Sequence, residues 1–366
     1  MKKSLFVFDD ETTPIGSSLA LRAAGAVVRS TVSFRNRLFD HIPIMSQKAP
    51  MPVISVGAIR AGGTGKTPVA LKIGEYLASK QRDVAFVSRG YGRISREARI
   101  AHPYESASWS EIGDEPHLLH QRLPQAWVGV DVNRRRIASE LATQMPSRSV
   151  IVLDDAFQHR AIRRDLDIVC LHRSLAEERV VPAGFLREPM SGLARAHVAL
   201  FIGAADEFDE LEEQRSRVAE QYSHLLTAVV FQEAHEWVNL ESGEARARPP
   251  LTSPLLVCGI ARPGRFAAMV QSHGISPRKE LLFPDHHRFE PRDFSDESNL
   301  PKHGIITTEK DAIRLRTVDG LPHEAVWYLK IRLRFAQKVD EQMFYSRIDR
   351  SICDANALAD PGVDGD

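Results

Sequence analysis

The chain has 366 residues, too many for one simple core, and at 43% hydrophobic and 26% charged it reads as a folded body of two domains. Lys plus Arg number 48 and Asp plus Glu number 48, so the formal net charge is zero and no global basic field for nucleic acid is present. Cys170, Cys258 and Cys353 form no CxxC pair and no zinc spacing, which argues against a disulfide framework and fits a reducing compartment.

The opening Met1-Lys2-Lys3 and the apolar Leu5-Phe6-Val7-Phe8 are followed at once by Asp9, Asp10 and Glu11, too early for a signal peptide. Residues 1–16 read as an N-terminal extension. No run of about 18 apolar residues occurs, so no transmembrane helix is expected. Residues 17–39 form the first helical segment. At about 100° per residue, Leu21, Val28, Val32 and Phe39 share one stripe. Arg22, Arg29 and Arg37 lie beside or opposite it, and Arg35 interrupts it. The pattern fits first a helix packed on its domain, and as the sharper alternative a basic amphipathic helix lying on an anionic membrane.

From residue 52 the text becomes α/β. Pro52 to Gly57 reads as a buried strand, a glycine loop follows, and Val69 to Lys80 reads as a helix. More strands are expected at 84–87, 126–130, 149–153, 167–171 and 197–202. An acidic helical stretch spans 206–226, and residues 246–254 read as a connection. Strand–helix units resume with strands at 254–259, 280–283, 304–307 and 325–330. The expected fold is α/β: a P-loop NTPase-like domain with a mostly parallel sheet at 17–204, and a second, smaller α/β domain at 205–340. Residues 341–366 are expected to form a C-terminal helix and an acidic tail, disordered from about Asp354.

The loop runs Ala61-Gly62-Gly63-Thr64-Gly65-Lys66-Thr67-Pro68, between a strand and a helix. In that context glycines turn backbone N–H groups onto phosphate oxygens, and the helix N-terminus favours the anion. Lys66 would reach the β- and γ-phosphates, and the Thr67 hydroxyl would bind Mg²⁺. The usual motif has glycine where Arg60 stands. Asp154 and Asp155 close an apolar strand, where P-loop enzymes place the acid that serves the metal; which of them faces the site is open. Gly113-Asp114-Glu115-Pro116 offers two acids in an expected loop, and Asp285-His286-His287 a carboxylate and two imidazoles. Arg89, Arg93, Arg134, Arg135, Arg136 and Arg187 supply cations suited to phosphate.

Taken in order, these strings resemble the tetraacyldisaccharide 4'-kinase family of lipid A biosynthesis. The matching strings are the loop, Ser88-Arg89-Gly90-Tyr91-Gly92-Arg93, Gly113 to Pro116, Asp131 with Arg134, and Asp154-Asp155-Ala156-Phe157-Gln158-His159. Pro182 to Pro189, Gly259 to Phe266, Phe283 to His287 and Thr307 to Ala312 complete the set, which covers roughly residues 50 to 335. The resemblance implies transfer of the γ-phosphate of ATP to the 4'-hydroxyl of a tetraacyl glucosamine disaccharide 1-phosphate, giving lipid IVA. It implies two α/β domains joined by a hinge. Asp114 would activate the hydroxyl, with His286 in support and Lys66 on the phosphates. Glu115, Asp154 and Asp155 would serve Mg²⁺, and Arg89, Arg134, Gln158 and Arg187 would line the phosphate and substrate region. The N-terminal helix would rest on the cytoplasmic face of the inner membrane; no obligate protein partner is implied.

Three positions depart from that pattern. Ala58 stands for Asn, Ala156 for the Gly of Asp-Asp-Gly, and Phe185 for Pro, while residues 1–15 look like an extension and Arg60 departs only from the general loop motif. A nucleotide-switched GTPase with the same loop is the competing reading, but the guanine-specifying Asn-Lys-x-Asp string is absent; Thr308-Glu309-Lys310-Asp311 lacks the Asn.

Overall fold

The computed structural model describes residues 19–173, 179–295 and 300–357. The expected extension at 1–16 and the tail beyond 357 lie outside the described residues. Two compact units divide the chain: one runs up to Gln232 and resumes at Leu333, and the other comprises Glu233–Arg332.

The first unit opens with α1 (Leu19–His41), β1 (Val53–Gly57), α2 (Lys66–Ser79), β2 (Val84–Ser88), β3 (Arg99–Ala101), α3 (Trp109–Ile112) and α4 (Asp114–Arg122). It continues with β4 (Trp127–Val130), α5 (Arg134–Gln144), β5 (Val150–Asp154), β6 (Leu166–Leu171), β7 (Val198–Gly203), α6 (Phe208–Gln221) and the first half of β8 (Leu226–Asn239). Its strands lie in the order β8-β7-β6-β1-β5-β2-β4-β3. All pair in parallel except β3, which is antiparallel to β4. Strands β1, β2, β5, β6 and β7 are buried along their whole length, which is why they read as continuous apolar runs. Alternate residues face opposite layers: Ile54 and Val56 pack with α2, whereas Val53, Ile151 and Leu153 pack with α5.

The second unit contains the remainder of β8, then β9 (Ala245–Arg246), β10 (Leu255–Cys258), α7 (Pro263–Ser272), β11 (Lys279–Leu282), α8 (Leu300–His303), β12 (Ile305–Thr308) and α9 (Glu309–Leu315). Its last strand is β13 (Val326–Phe335), whose final residues belong to the first unit. The strand order is β11-β10-β12-β13-β8, with β9 antiparallel on β8. The chain then closes with α10 (Lys338–Ala357) in the first unit.

Several expectations shift. The second unit starts at 233 rather than 205, because α6 buries Leu211 and Val218 in the same core as Phe201, Val229 and Phe231. The chain rejoins the first unit at Leu333 rather than leaving the second domain at 340, and the expected C-terminal helix is α10. Phe344, Ile348 and Ile352 of α10 share a core with Val69, Ile73 and Leu77 of α2, and the helix runs on through Asp354 to Ala357. Strand β8 was hidden by its polar centre, Gln232 to Glu236, and part of the expected connection at 246–254 pairs as β9.

Helix α1 has two faces. Leu21, Val28, Val32 and Phe39 are half-buried, so the stripe read from the sequence meets the protein. Gly25 is buried within it; a Cβ there would lie 2.7 Å from the Ala183 Cβ. Leu19, Val27 and Phe34 are instead exposed (82%, 66% and 64%). Among the described residues no helix is long and apolar enough to cross a membrane.

Candidate active site

The register of the central strands builds the site. Val56 of β1 pairs with Asp154 of β5, so the carboxylate-bearing strand ends beside the glycine loop. Gly57 must be glycine, since a Cβ would meet the Phe157 Cβ at 2.5 Å. Gly62 (φ 86°) and Gly65 (φ 79°) adopt the left-handed conformation that only glycine takes without strain. Gly65 leaves the start of α2 with no side-chain cap, so its first N–H groups are available to an anion.

Residues 59–61 pair with 185–187: Ala61 N–H donates to Phe185 O at 2.8 Å, and Arg187 N–H donates to Ile59 O at 2.6 Å. Arg60 is buried here with its guanidinium 4.7 Å from the centre of the Phe185 ring. Arg60, which departs from the general loop motif, and Phe185, which departs from the family pattern, are therefore in contact as a cation–π pair.

The acids divide their duties. Thr67 Oγ1 donates to Asp154 Oδ2 at 3.1 Å. Asp154 is fully buried, and its Oδ1 has no hydrogen-bond partner. Burial, then the charges of Glu115 and Asp155, push its carboxyl up to about 7, against the pull of Lys66. Burial also acts on Asp155, but Lys66 and Arg187 outweigh it and hold that carboxyl below its ordinary value. Arg187 donates to Asp155 Oδ1 at 2.6 Å, and Lys66 Nζ lies 3.8 Å from the same oxygen. Asp155 sits at φ 50°, a conformation costly for a non-glycine residue, immediately before Ala156.

Asp114 lies on a helix rather than in the expected loop. It is the first residue of α4, Gly113 (φ 94°) turns the chain into that helix, and Asp114 is buried. The Gly90-Tyr91-Gly92 turn packs on it: a Cβ on Gly92 would lie 3.7 Å from Asp114 Oδ1, and one on Gly113 would lie 2.6 Å from Tyr91 O. Glu115 follows on α4, close enough to act on Asp154. Arg134 opens α5, capped by the Asn133 side chain. Burial lowers its basicity and exposed Arg89 adds to this, while Asp155 and Asp154 oppose.

Gln158 is half-buried beside the loop. Its Nε2 donates to Ala58 O at 2.9 Å and to Glu188 Oε1 at 2.7 Å. Glu188 lies inside the matching string Pro182 to Pro189 but has no role in the sequence reading; it is a completely buried carboxylate. No sequence signal distinguishes it from a surface acid.

His286 belongs to the second unit. Its backbone (φ 61°) is held by N–H donation to Gly259 O at 3.1 Å. Lys310 Nζ lies 3.3 Å from its Nε2 and 3.4 Å from Asp285 Oδ1. His287 instead stacks on Phe283 (4.3 Å) and pairs with Asp293 at 2.9 Å. Among the described residues no three His, Cys, Asp or Glu side chains converge as a preformed metal cage, here or at the loop.

The comparisons agree with the geometry. The family profile described as tetraacyldisaccharide-1-P 4'-kinase (LpxK) matches residues 17–350. The Tetraacyldisaccharide 4'-kinase of Parabacteroides distasonis is 36% identical over 319 residues, covering 81% of this chain and 83% of that protein. That of Anaeromyxobacter sp. Fw109-5 is 35% identical over 311 residues, covering 81% and 82%. The crystal structure of Aquifex aeolicus LpxK in complex with ATP is similar at a TM-score of 0.74 and 29% identity, covering 91% of this chain and 98% of that one. With the loop, the paired aspartates and the Asp114 turn in place, this chain belongs to the tetraacyldisaccharide-1-P 4'-kinase family.

Proposed function

We propose that the chain transfers the γ-phosphate of ATP to the 4'-hydroxyl of a tetraacyl glucosamine disaccharide 1-phosphate, giving lipid IVA. The observation that carries this reading is the joining of Lys66, Thr67, Asp154, Asp155 and Arg187 at the mouth of an open glycine loop. The loop amides and the start of α2 take the β-phosphate. Lys66 exchanges its long contact with Asp155 for the transferring phosphoryl group, and Arg187 keeps Asp155 ionised. Arg89 and Arg134 add positive charge for substrate phosphate.

The unpartnered Asp154 oxygen, the Thr67 hydroxyl and the Glu115 carboxylate would be the hard oxygen donors for Mg²⁺, with Asp155 in support. When bound, Mg²⁺ neutralises charge on the β- and γ-phosphate oxygens. Asp114 accepts the proton of the 4'-hydroxyl as the sugar oxygen bonds to the γ-phosphorus and the bond to ADP breaks. A positioned base of this kind contributes about 10²–10⁴-fold. His286, set by Lys310, is assigned a supporting role in the reaction. Exposed Leu19, Val27 and Phe34, with Arg22, Arg29 and Arg37, suit α1 to the anionic cytoplasmic surface of the inner membrane.

The test is a mass-resolved phosphotransfer assay with the disaccharide 1-phosphate, ATP or GTP. A product heavier by one phosphoryl group, made with ATP and dependent on acceptor, is expected. GTP hydrolysis without acceptor would replace the kinase by a nucleotide switch. Asp114→Asn should lower turnover at least 100-fold while ATP binding changes little; equal turnover would remove Asp114 from the reaction.

A further inference from the structure

Helix α1 is linked through hydrogen-bonded side chains to the residue that leads into the nucleotide loop. Asn36 Nδ2 donates to Glu188 Oε2 at 2.9 Å. The other oxygen of Glu188 accepts from Gln158 Nε2 at 2.7 Å, and the same Gln158 nitrogen donates to Ala58 O at 2.9 Å. Ala58 directly follows β1 and leads into the loop. A second route starts from the same carboxylate. Arg195 grips both Glu188 oxygens, at 2.8 and 2.7 Å, and its guanidinium lies 3.8 Å from the centre of the Phe157 ring. Phe157 in turn fills the space where Gly57 lacks a side chain. Both routes end on residues 57–58, where the strand hands over to the phosphate loop.

We infer that Glu188 is a positioning residue for the nucleotide loop and that α1, through Asn36, is part of the support of that loop as well as a surface helix. The inference rests on the proposed nucleotide-binding role of the loop. A buried carboxylate with four hydrogen bonds has little freedom, because each lost bond leaves a desolvated charge short of a partner. Its geometry therefore fixes the Gln158 amide, and that amide holds the carbonyl at the loop entrance.

The experiment measures binding of a fluorescent ATP analogue to the full chain without lipid, alongside thermal melting. Asn36→Ala should weaken binding about threefold and Glu188→Gln about tenfold. The effect of Asn36→Ala should vanish in the Glu188→Gln background. In the phosphotransfer assay KM for ATP should rise with kcat little altered. Thr31→Ala, at an exposed position of the same helix, is the control and should bind as wild type. If Glu188→Gln does not fold, Asn36→Ala alone decides. Variants that melt lower yet bind the analogue as wild type does would reduce the network to a structural role and overturn the inference. Additive losses in the double variant would overturn the route through Glu188. Wild-type protein that binds no ATP analogue would sink both this inference and the kinase reading, whereas a wrong acceptor would sink only the latter.

Discussion

Adjacent aspartates at one strand end do opposite things. Asp154 points inward to Thr67 and keeps an oxygen unpartnered, whereas Asp155 is turned by a left-handed backbone toward Lys66 and Arg187. The strand pattern could say only that neighbours face opposite ways; the backbone turn at Asp155 decides which way each goes. Close by, His159 is half-buried with an Nε2 that has no partner. Burial, then Arg134, Arg164, Arg135 and Arg89, lower its pKa from 6.5 to about 4. Between those values the unfolded chain binds a proton that the folded chain refuses, so stability rises with pH through this window. The contribution is complete above about 6.5 and is lost as pH falls toward 4. Discounted for solvent screening at a partly exposed ring, it is on the order of 1 kcal/mol. His159→Gln should therefore flatten the slope of urea-unfolding free energy between pH 7 and pH 5. Equal slopes in the two proteins would assign the acid sensitivity elsewhere.

Among the elements, α1 makes a prediction whose sign is set by one contact. In a solvent-facing helix interior Gly→Ala gains about 1 kcal/mol. At Gly25 the added Cβ would stand 2.7 Å from the Ala183 Cβ and 3.0 Å from Val180 O, both too close. Overpacking costs about 1–3 kcal/mol, so the net effect of Gly25→Ala should be a loss. A lower melting temperature, with faster amide exchange confined to α1 and residues 180–183, is expected; a higher one would show that α1 sits loosely. The buried parallel strands were readable because their runs are apolar on both faces. Strand β3, only three residues at the sheet edge, and the polar half of β8 carry no such run. The helical setting of Asp114 was equally invisible, because Gly-Asp-Glu-Pro spells a turn unless Gly113 is known to start a helix. Glu188 and Asn36 stayed hidden for a further reason: their meaning lies in a hydrogen bond across 152 positions of sequence.

At the scale of the whole molecule, zero formal net charge conceals a local arrangement on α1. The half-buried stripe of Leu21, Val28, Val32 and Phe39 is already occupied by the protein, so it is not what would meet lipid. The available apolar side chains are Leu19, Val27 and Phe34, with Arg22, Arg29 and Arg37 exposed on the same helix. Three modest apolar groups give only marginal partitioning, and each Arg near an anionic surface adds about 1 kcal/mol that salt screens. Binding to vesicles should thus need anionic lipid and fall steeply as salt rises. Replacing Arg22, Arg29 and Arg37 together by Gln should abolish that salt dependence and most of the binding. Replacing Leu19, Val27 and Phe34 by Ser should weaken binding at every salt concentration. Because all six side chains are exposed, neither set should move the melting temperature by more than a few degrees. Co-sedimentation with vesicles of graded anionic content measures both. Vesicle binding that survives both sets unchanged would show that another surface of the protein meets the membrane.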